Sequence, residues 1–156
     1  MITIRVADIE ADALAILHGA RDCYRRHKEH RGDLNVGSLF PDDEGLVRAL
    51  SRLVSCDELE ILIAESDGQV VGGAGIFYAP YLWNLDLLTG EKLFWWTEES
   101  APFRTAVILV NEVTKRIESK GAMPVFRMLK TDPKGVEKLY RRLNMVPVET
   151  TYMRLP

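Results

Sequence analysis

A chain of 156 residues, 47% of them hydrophobic, suits a single globular domain over residues 1–156 with a sizeable core. Its formal net charge of −3 excludes the basic footprint of a nucleic-acid binder. The one basic cluster, "RDCYRRHKEHR", carries acids as well and reads as a solvated helix end.

The longest nearly uncharged apolar stretch, "VVGGAGIFYAPYLWNL", is shorter than a membrane span and interrupted by glycine and proline, so no membrane association is expected. The opening "MITIRVADIE" lacks the basic start and apolar core of a signal peptide. Cys23 and Cys56 make no disulfide framework, which fits a reducing, cytoplasmic setting.

In chain order, alternation in "ITIRV" predicts a strand with Ile2, Ile4 and Val6 on one face. Asp8 then caps a helix whose apolar positions are Ile9, Ala13, Ile16 or Leu17, Ala20 and Tyr24. "HRGDLNVGSLFPDD" breaks the pattern. A second helix fits "EGLVRALSRLV", where Leu46, Leu50, Leu53 and Val54 share a stripe. "LEILIAE" and "QVVGGAGIFY" are strands flanking "SDG", and Asp67-Gly68 tolerates the positive φ of a tight turn. Gly72, Gly73 and Gly75 weaken the second of them and mark either a bulge or the close approach of a backbone or ligand.

"PYLWNLDLLTG" then reads as a connection longer than a turn needs, followed by a strand in "EKLFWWT". A helix is predicted over Pro102–Lys120, with Ala106, Leu109, Val110, Val113 and Ile117 on one face and Gly121 stopping it. "PVFRML" is strand-like. "TDPKGVEKLYRRL" is a helix capped by Thr131 or Asp132, with Pro133 in its first turn and a stripe of Val136, Leu139, Tyr140 and Leu143. "VPVETTYMRL" ends the chain as an alternating strand. The order is β-α-α-β-β-β-α-β-α-β, an α+β arrangement without internal repeats.

Three groups of residues carry chemistry or recognition. The strand "FWWT" passes abruptly into "PFRTAV", and a helix start exposes unpaired N–H groups and the positive end of a dipole. An anion can sit there, with Arg104 pairing a phosphate directly; equally, Arg104 can pair Glu98 or Glu99, or block the site. Cys23, His27 and His30 share a helical face at a spacing that can hold zinc, but the basic residues around them oppose a cation and no metal is expected. From Tyr81 to Leu88 the connection carries Tyr81, Leu82, Trp83, Leu85, Leu87 and Leu88. It either folds onto its own domain or presents an apolar patch to a substrate, a twin subunit or another protein.

This order of elements, with a hairpin before the third helix, resembles the GNAT (Gcn5-related N-acetyltransferase) fold over nearly the whole chain. "LYRRLNMVPVETTYMRLP" resembles the family's helix-turn-strand ending, with Tyr140 at the tyrosine position, and "FWWTEESAPFRTAVILV" followed by "ESKGA" resembles its acyl-CoA-binding strand, loop and helix. The tryptophan pair and the "ET-Y" ending are similar to small acetyltransferase-like proteins of tailed phages. The resemblance implies a mixed, mostly antiparallel central sheet with helices on both faces, and acetyl-CoA as cosubstrate for transfer to an amine of a small molecule or protein.

The resemblance further implies that the edge at Trp95, Trp96 and Thr97 pairs with the pantetheine arm, and that Arg104, Thr105, Ala106 and Val107 receive the pyrophosphate. At least one tryptophan side chain still reads as core. Glu98 and Glu99 are candidates to take the amine's proton, and the Tyr140 hydroxyl to protonate the departing thiolate; each also has a plain reading, as solvated acids and as packing. Departures stand out: Pro102 and Arg104 occupy glycine positions of the family loop, and Asn144-Met145 replaces the Gly-aromatic pair after the tyrosine. They favour an alternative, a GNAT-fold binding protein, in one version phage-encoded and acting in the host cytoplasm, that has lost efficient catalysis and modulates a host protein.

Overall fold

A computed structural model describes residues 1–30, 43–55, 58–128 and 134–148. Strands β1 (Ile2–Val6), β2 (Leu59–Ser66), β3 (Gln69–Tyr81), β4 (Asn84–Thr97) and β5 (Met123–Phe126) form one sheet in the order β1-β2-β3-β4-β5. Neighbours run antiparallel except β4 and β5, which are parallel because helix α3 (Thr105–Ser119) crosses between them. The other helices are α1 (Ile9–His30), α2 (Asp43–Val54) and α4 (Lys134–Arg142). Among the described residues, no helix is long and apolar enough to cross a membrane.

Local signals fix several joints. Asp8 Oδ1 accepts hydrogen bonds from the N–H groups of Glu10 and Ala11, as a helix cap should. Asp67 and Gly68 both take positive φ, 53° and 76°, between β2 and β3. At the end of α3, Gly121 (φ 69°) donates to the Glu118 carbonyl and Ala122 donates to Ile117, closing the helix as a Schellman motif.

Both faces of the sheet are covered, which is why β2 reads as an almost unbroken apolar run. On one face α3 lays Leu109, Val113 and Ile117 against Leu62, Ala64, Ala74 and Ile76. On the other, Ile16 of α1 packs with Leu59, Ile61, Ile63 and Trp96. The inward stripe of α1 differs from the one expected: Asp12, Ile16 and Gly19 are buried, while Ala13 is exposed. Arg5 of β1 draws Asp12 inward, donating to its carboxylate at 2.6 and 2.9 Å.

Three boundaries are corrected. The stretch from Tyr81 to Leu88 is a continuation of the β3–β4 hairpin rather than a long connection: β4 starts at Asn84, and Tyr81 pairs with Asn84 and Pro80 with Leu88. Cross-strand hydrogen bonding is available to these residues whatever their side chains, so composition misled. Helix α3 begins at Thr105 instead of Pro102. Residues 145–148 are not strand. The rest of the expected final strand lies outside the described residues, as do Cys56, the capping positions Thr131 and Asp132, Pro133, and the side chains of Cys23, His27 and His30.

The glycines of β3 also find their reason. A β-carbon on Gly73 would meet the Trp96 ring at 2.2 Å, and one on Gly75 the Phe94 ring at 2.5 Å. What approaches is an aromatic ring from the neighbouring strand; at Gly72 it is the Trp96 carbonyl oxygen, at 2.7 Å.

Candidate active site

The parallel ladder is short. It runs from Thr89↔Met123 to Lys92↔Phe126, where β5 ends. β4 continues to Thr97, held to β3 through Gly72↔Thr97. Among the described residues, the side of Leu93–Trp96 facing away from β3 therefore has no strand partner. Peptide groups along such an edge are hydrogen-bonding sites for an extended ligand. Within this stretch Gly75 pairs with Phe94 but Ile76 with Lys92, so Leu93 is the extra residue of a bulge.

The bulge resets the alternation of side chains. Phe94 and Trp96 pack with the α1-side cluster, whereas Trp95 packs with the clusters of α3 and α4. Of the tryptophan pair expected at the cofactor edge, Trp96 is thus core, 4% exposed and wedged against Gly19 and Gly73. Its backbone belongs to the edge; its indole does not. Trp95 and Thr97 are partly exposed.

Tyr140 reaches the same place from α4. Its ring packs edge-on against Phe126, centroids 5.3 Å apart, beside Val110 and Val136. Lys92 Nζ lies 5.6 Å from the centre of the Tyr140 ring and 5.6 Å from that of Trp95. The chain turns away after α4 through Asn144 (φ 59°), with Met145 donating to the Tyr140 carbonyl and Asn144 to Arg141. This is a Schellman ending with asparagine in the left-handed position where glycine is usual. The departure at Asn144 therefore preserves the turn that seats Tyr140.

At the start of α3, Arg104 is the N-cap residue in ordinary right-handed geometry (φ −88°, ψ −4°), exposed and without a side-chain cap bond. Its backbone needs no glycine. The Thr105 side chain is buried and its N–H already donates to the Pro102 carbonyl, which removes Thr105 as a free donor for an anion. Ala106 and Val107 remain as the open amides of the first turn. Phe103 beside them is 98% exposed.

The two acids separate. Glu99 is exposed. Glu98 follows Trp96 in the alternation and meets α1, where His18 Nδ1 stands 3.7 Å from Glu98 Oε1. The sequence reading overlooked both His18 and Lys92. The signal for Lys92 was a lysine, next to Glu91, leading directly into the apolar "LFWW". His18 had no signal, since only the packing of α1 across β4 brings it there. Among the described residues, no three His, Cys, Asp or Glu side chains gather as a metal site would require.

Comparison with known proteins bears on the fold. Over 100% of this chain and 96% of the other, it superposes on a predicted acetyltransferase with acetyl-CoA from Clostridium acetobutylicum, at TM-score 0.70 and 17% identity. The chain has the GNAT fold. A ribosomal-protein-alanine N-acetyltransferase from Brucella melitensis biovar Abortus matches at TM-score 0.69 and 17% identity, covering 98% of this chain and 99% of that one. A transcriptional regulator from Bacillus halodurans matches at TM-score 0.73 and 19% identity, covering 99% and 100%. The GNAT fold thus occurs under more than one functional name, and the site has to carry the argument for activity. No family model matches the chain, and no curated protein does.

Proposed function

We propose that this protein transfers an acetyl group from acetyl-CoA to an amine of a small molecule or protein. One observation carries the reading: β4 runs past the end of β5 at Lys92↔Phe126, and Tyr140 is packed against Phe126 at that point. An open strand edge beside a phenol is an arrangement that can bind an extended thioester and protonate its sulfur. The backbone of Trp95, Trp96 and Thr97 would pair with the pantetheine amides, and the Ala106 and Val107 amides with Arg104 would receive the phosphates.

In that reaction a lysine-like amine, with pKa about 10.4, must lose a proton before or as it attacks. Glu98 with His18 supports that step better than exposed Glu99, because the pair is placed by packing of α1 on β4. Tyr140 supplies the proton that the departing thiolate needs.

A second reading keeps the fold and drops the catalysis: a binding protein, phage-encoded in one version, that occupies a host protein. Pro102 and Arg104 at the loop's glycine positions favour it, as do exposed Leu82, Trp83 and Leu85 at the hairpin tip. Isothermal calorimetry with CoA separates the two. Heat of binding at micromolar CoA, followed by thiol release when acetyl-CoA meets an amine, is the expected result; absence of any CoA binding sinks the acetyl-transfer reading.

A further inference from the structure

Strand β1 borders the sheet on one side and β5 on the other. The pairing of β1 with β2 is regular from Ile2↔Ser66 to Val6↔Leu62, and the Ala7 N–H donates to the Ile61 carbonyl. Bonded positions alternate in an antiparallel ladder, so Thr3 and Arg5 also turn their peptide groups to β2, while Ile2, Ile4 and Val6 turn theirs outward. Among the described residues, no strand meets that outer side. Exposed borders ordinarily carry a device against pairing: a very short strand, a proline, a bulge or a free charge. β5 has two of these, since it is four residues long and contains Pro124. β1 has none. Its five residues are an ordinary strand length, it has no proline and no bulge, and its one charge is tied back, because Arg5 donates to Asp12 and to Glu65 at 2.6 Å each. Val6 is left 49% exposed at this border.

We propose that β1 pairs antiparallel with β1 of a second copy of this chain, about a two-fold axis at Ile4, joining two sheets into one. The strand is complementary to itself in that register. Ile4 stands opposite Ile4 and Ile2 opposite Val6, so the three outward peptide groups of each copy meet the three of the other. The Val6 carbonyl already accepts from Arg5 Nη1 at 3.3 Å, and its second lone pair remains. Ile4 packs with the α3-side cluster, and alternation puts Ile2 and Val6 on the same face, so Ile2 of the second copy covers exposed Val6. Charges agree as well. Arg5 falls opposite Thr3 rather than another arginine. On the α3 side, Glu112 and Arg116 border a small cleft with Ile4, Val6 and Leu62. The two-fold axis runs the two α3 helices antiparallel, so acid and base flank the seam in exchanged order. Such an interface is isologous and closes at two copies. The inference is independent of the acetyl-transfer reading.

The test is amide hydrogen exchange of the full chain, read residue by residue over a protein concentration series, with sedimentation equilibrium for the mass. The wild type should reach the mass of two copies, and the Ile4 and Val6 amides should exchange about tenfold or more slowly at the concentrated end than at the dilute end. Val6→Pro removes one outward N–H and leaves the bonds to β2, as an edge proline can. Val6→Lys puts a charge on the seam at a half-exposed side chain, and it carries the test if the proline variant does not fold. Either folded variant should stay at the mass of one copy, with the Ile4 amide exchanging fast at every concentration. Because exchange is read at single amides, association through the hairpin tip does not imitate this result. A wild type whose Ile4 and Val6 amides exchange alike at all concentrations overturns the proposal, as does a folded Val6→Lys that keeps the concentration-dependent protection.

Discussion

The indole of Trp96 fills the space where a β-carbon on Gly19 would stand: that carbon would lie 2.1 Å from ring atoms Cδ2 and Cε2. One side chain of β4 therefore sets how close α1 comes to the sheet. Gly19→Ala gains about 1 kcal/mol of helix propensity, but overpacking a buried ring costs about 1–3 kcal/mol. A net loss is expected, seen as a lower urea midpoint. Combined with Trp96→Leu, the alanine should cost less than it does alone, because the two changes relieve each other. An alanine variant as stable as the wild type would show that α1 shifts freely.

Acid sensitivity should trace to two buried carboxylates. Burial pushes the Glu60 carboxyl up, but hydrogen bonds from Arg116, Lys120 and Tyr78 bring it net below its usual 4.5. Asp12 is held below its usual 3.8, chiefly by Arg5. For a carboxyl with a depressed folded value, the unfolded chain binds protons first as pH falls. The stabilisation is thus complete above about pH 5 and is lost as pH drops through the folded values. The melting temperature of Glu60→Gln/Asp12→Asn should start lower and depend less on pH between about 5 and 3. Parallel curves for wild type and variant would assign the acid transition to other groups.

Asn144 holds a left-handed conformation, φ 59°, immediately after α4. Residues with a β-carbon cost roughly 1–2 kcal/mol there, asparagine less, glycine nothing. Asn144→Ala should destabilise by about 1 kcal/mol, whereas Asn144→Gly should be neutral or slightly stabilising. Chemical denaturation of both variants checks the order; alanine equal to glycine would contradict the assignment.

Tyr140 and Arg104 serve different steps of the proposed reaction and should fail differently. Tyr140→Phe preserves the edge-on contact with Phe126 and deletes the hydroxyl, so turnover should fall by roughly 10²-fold or more with CoA binding intact. Arg104→Glu leaves the chemistry and should weaken CoA by about 1–3 kcal/mol, the range of a charge-assisted hydrogen bond. Steady-state kinetics and calorimetry on both variants separate the effects. Unchanged turnover in Tyr140→Phe would return that residue to packing alone.

The hairpin tip exposes Leu82 (74%), Trp83 (83%) and Leu85 (73%). Since these side chains are not core, Trp83→Ala/Leu85→Ala should keep the melting temperature, with a stability change within about 0.5 kcal/mol. The expected loss is in association, read by sizing chromatography over a concentration series, because aromatic residues dominate interface hot spots. A collapsed melting temperature would mean that the tip belongs to the folded body.

The sequence by itself determined what depends on neighbours along the chain. The Asp67-Gly68 turn, the Asp8 cap, the Gly121 stop and the apolar stripe of α3 follow from φ preferences, capping and periodicity. With the order of elements they sufficed to point to the GNAT fold and to a tyrosine on α4. Asn144 shows the limit of motif reading: asparagine can stand in for glycine, and only the backbone angle reveals that it does.

The tertiary structure decided what depends on registration between elements. One extra residue at Leu93 turns Trp96 into core and leaves Trp95 beside Lys92 and Tyr140, residues far apart in sequence that meet only once β4, β5 and α4 are packed. The three glycines of β3 could be counted in the sequence, but their partners, Trp96 and Phe94, lie across a strand pairing whose register no local signal specifies. Glu98 and Glu99 are adjacent in the chain and part company in space, one against His18 of α1 and one exposed in the turn that follows the end of β4 at Thr97, and only the packing of α1 across β4 decides which acid it meets.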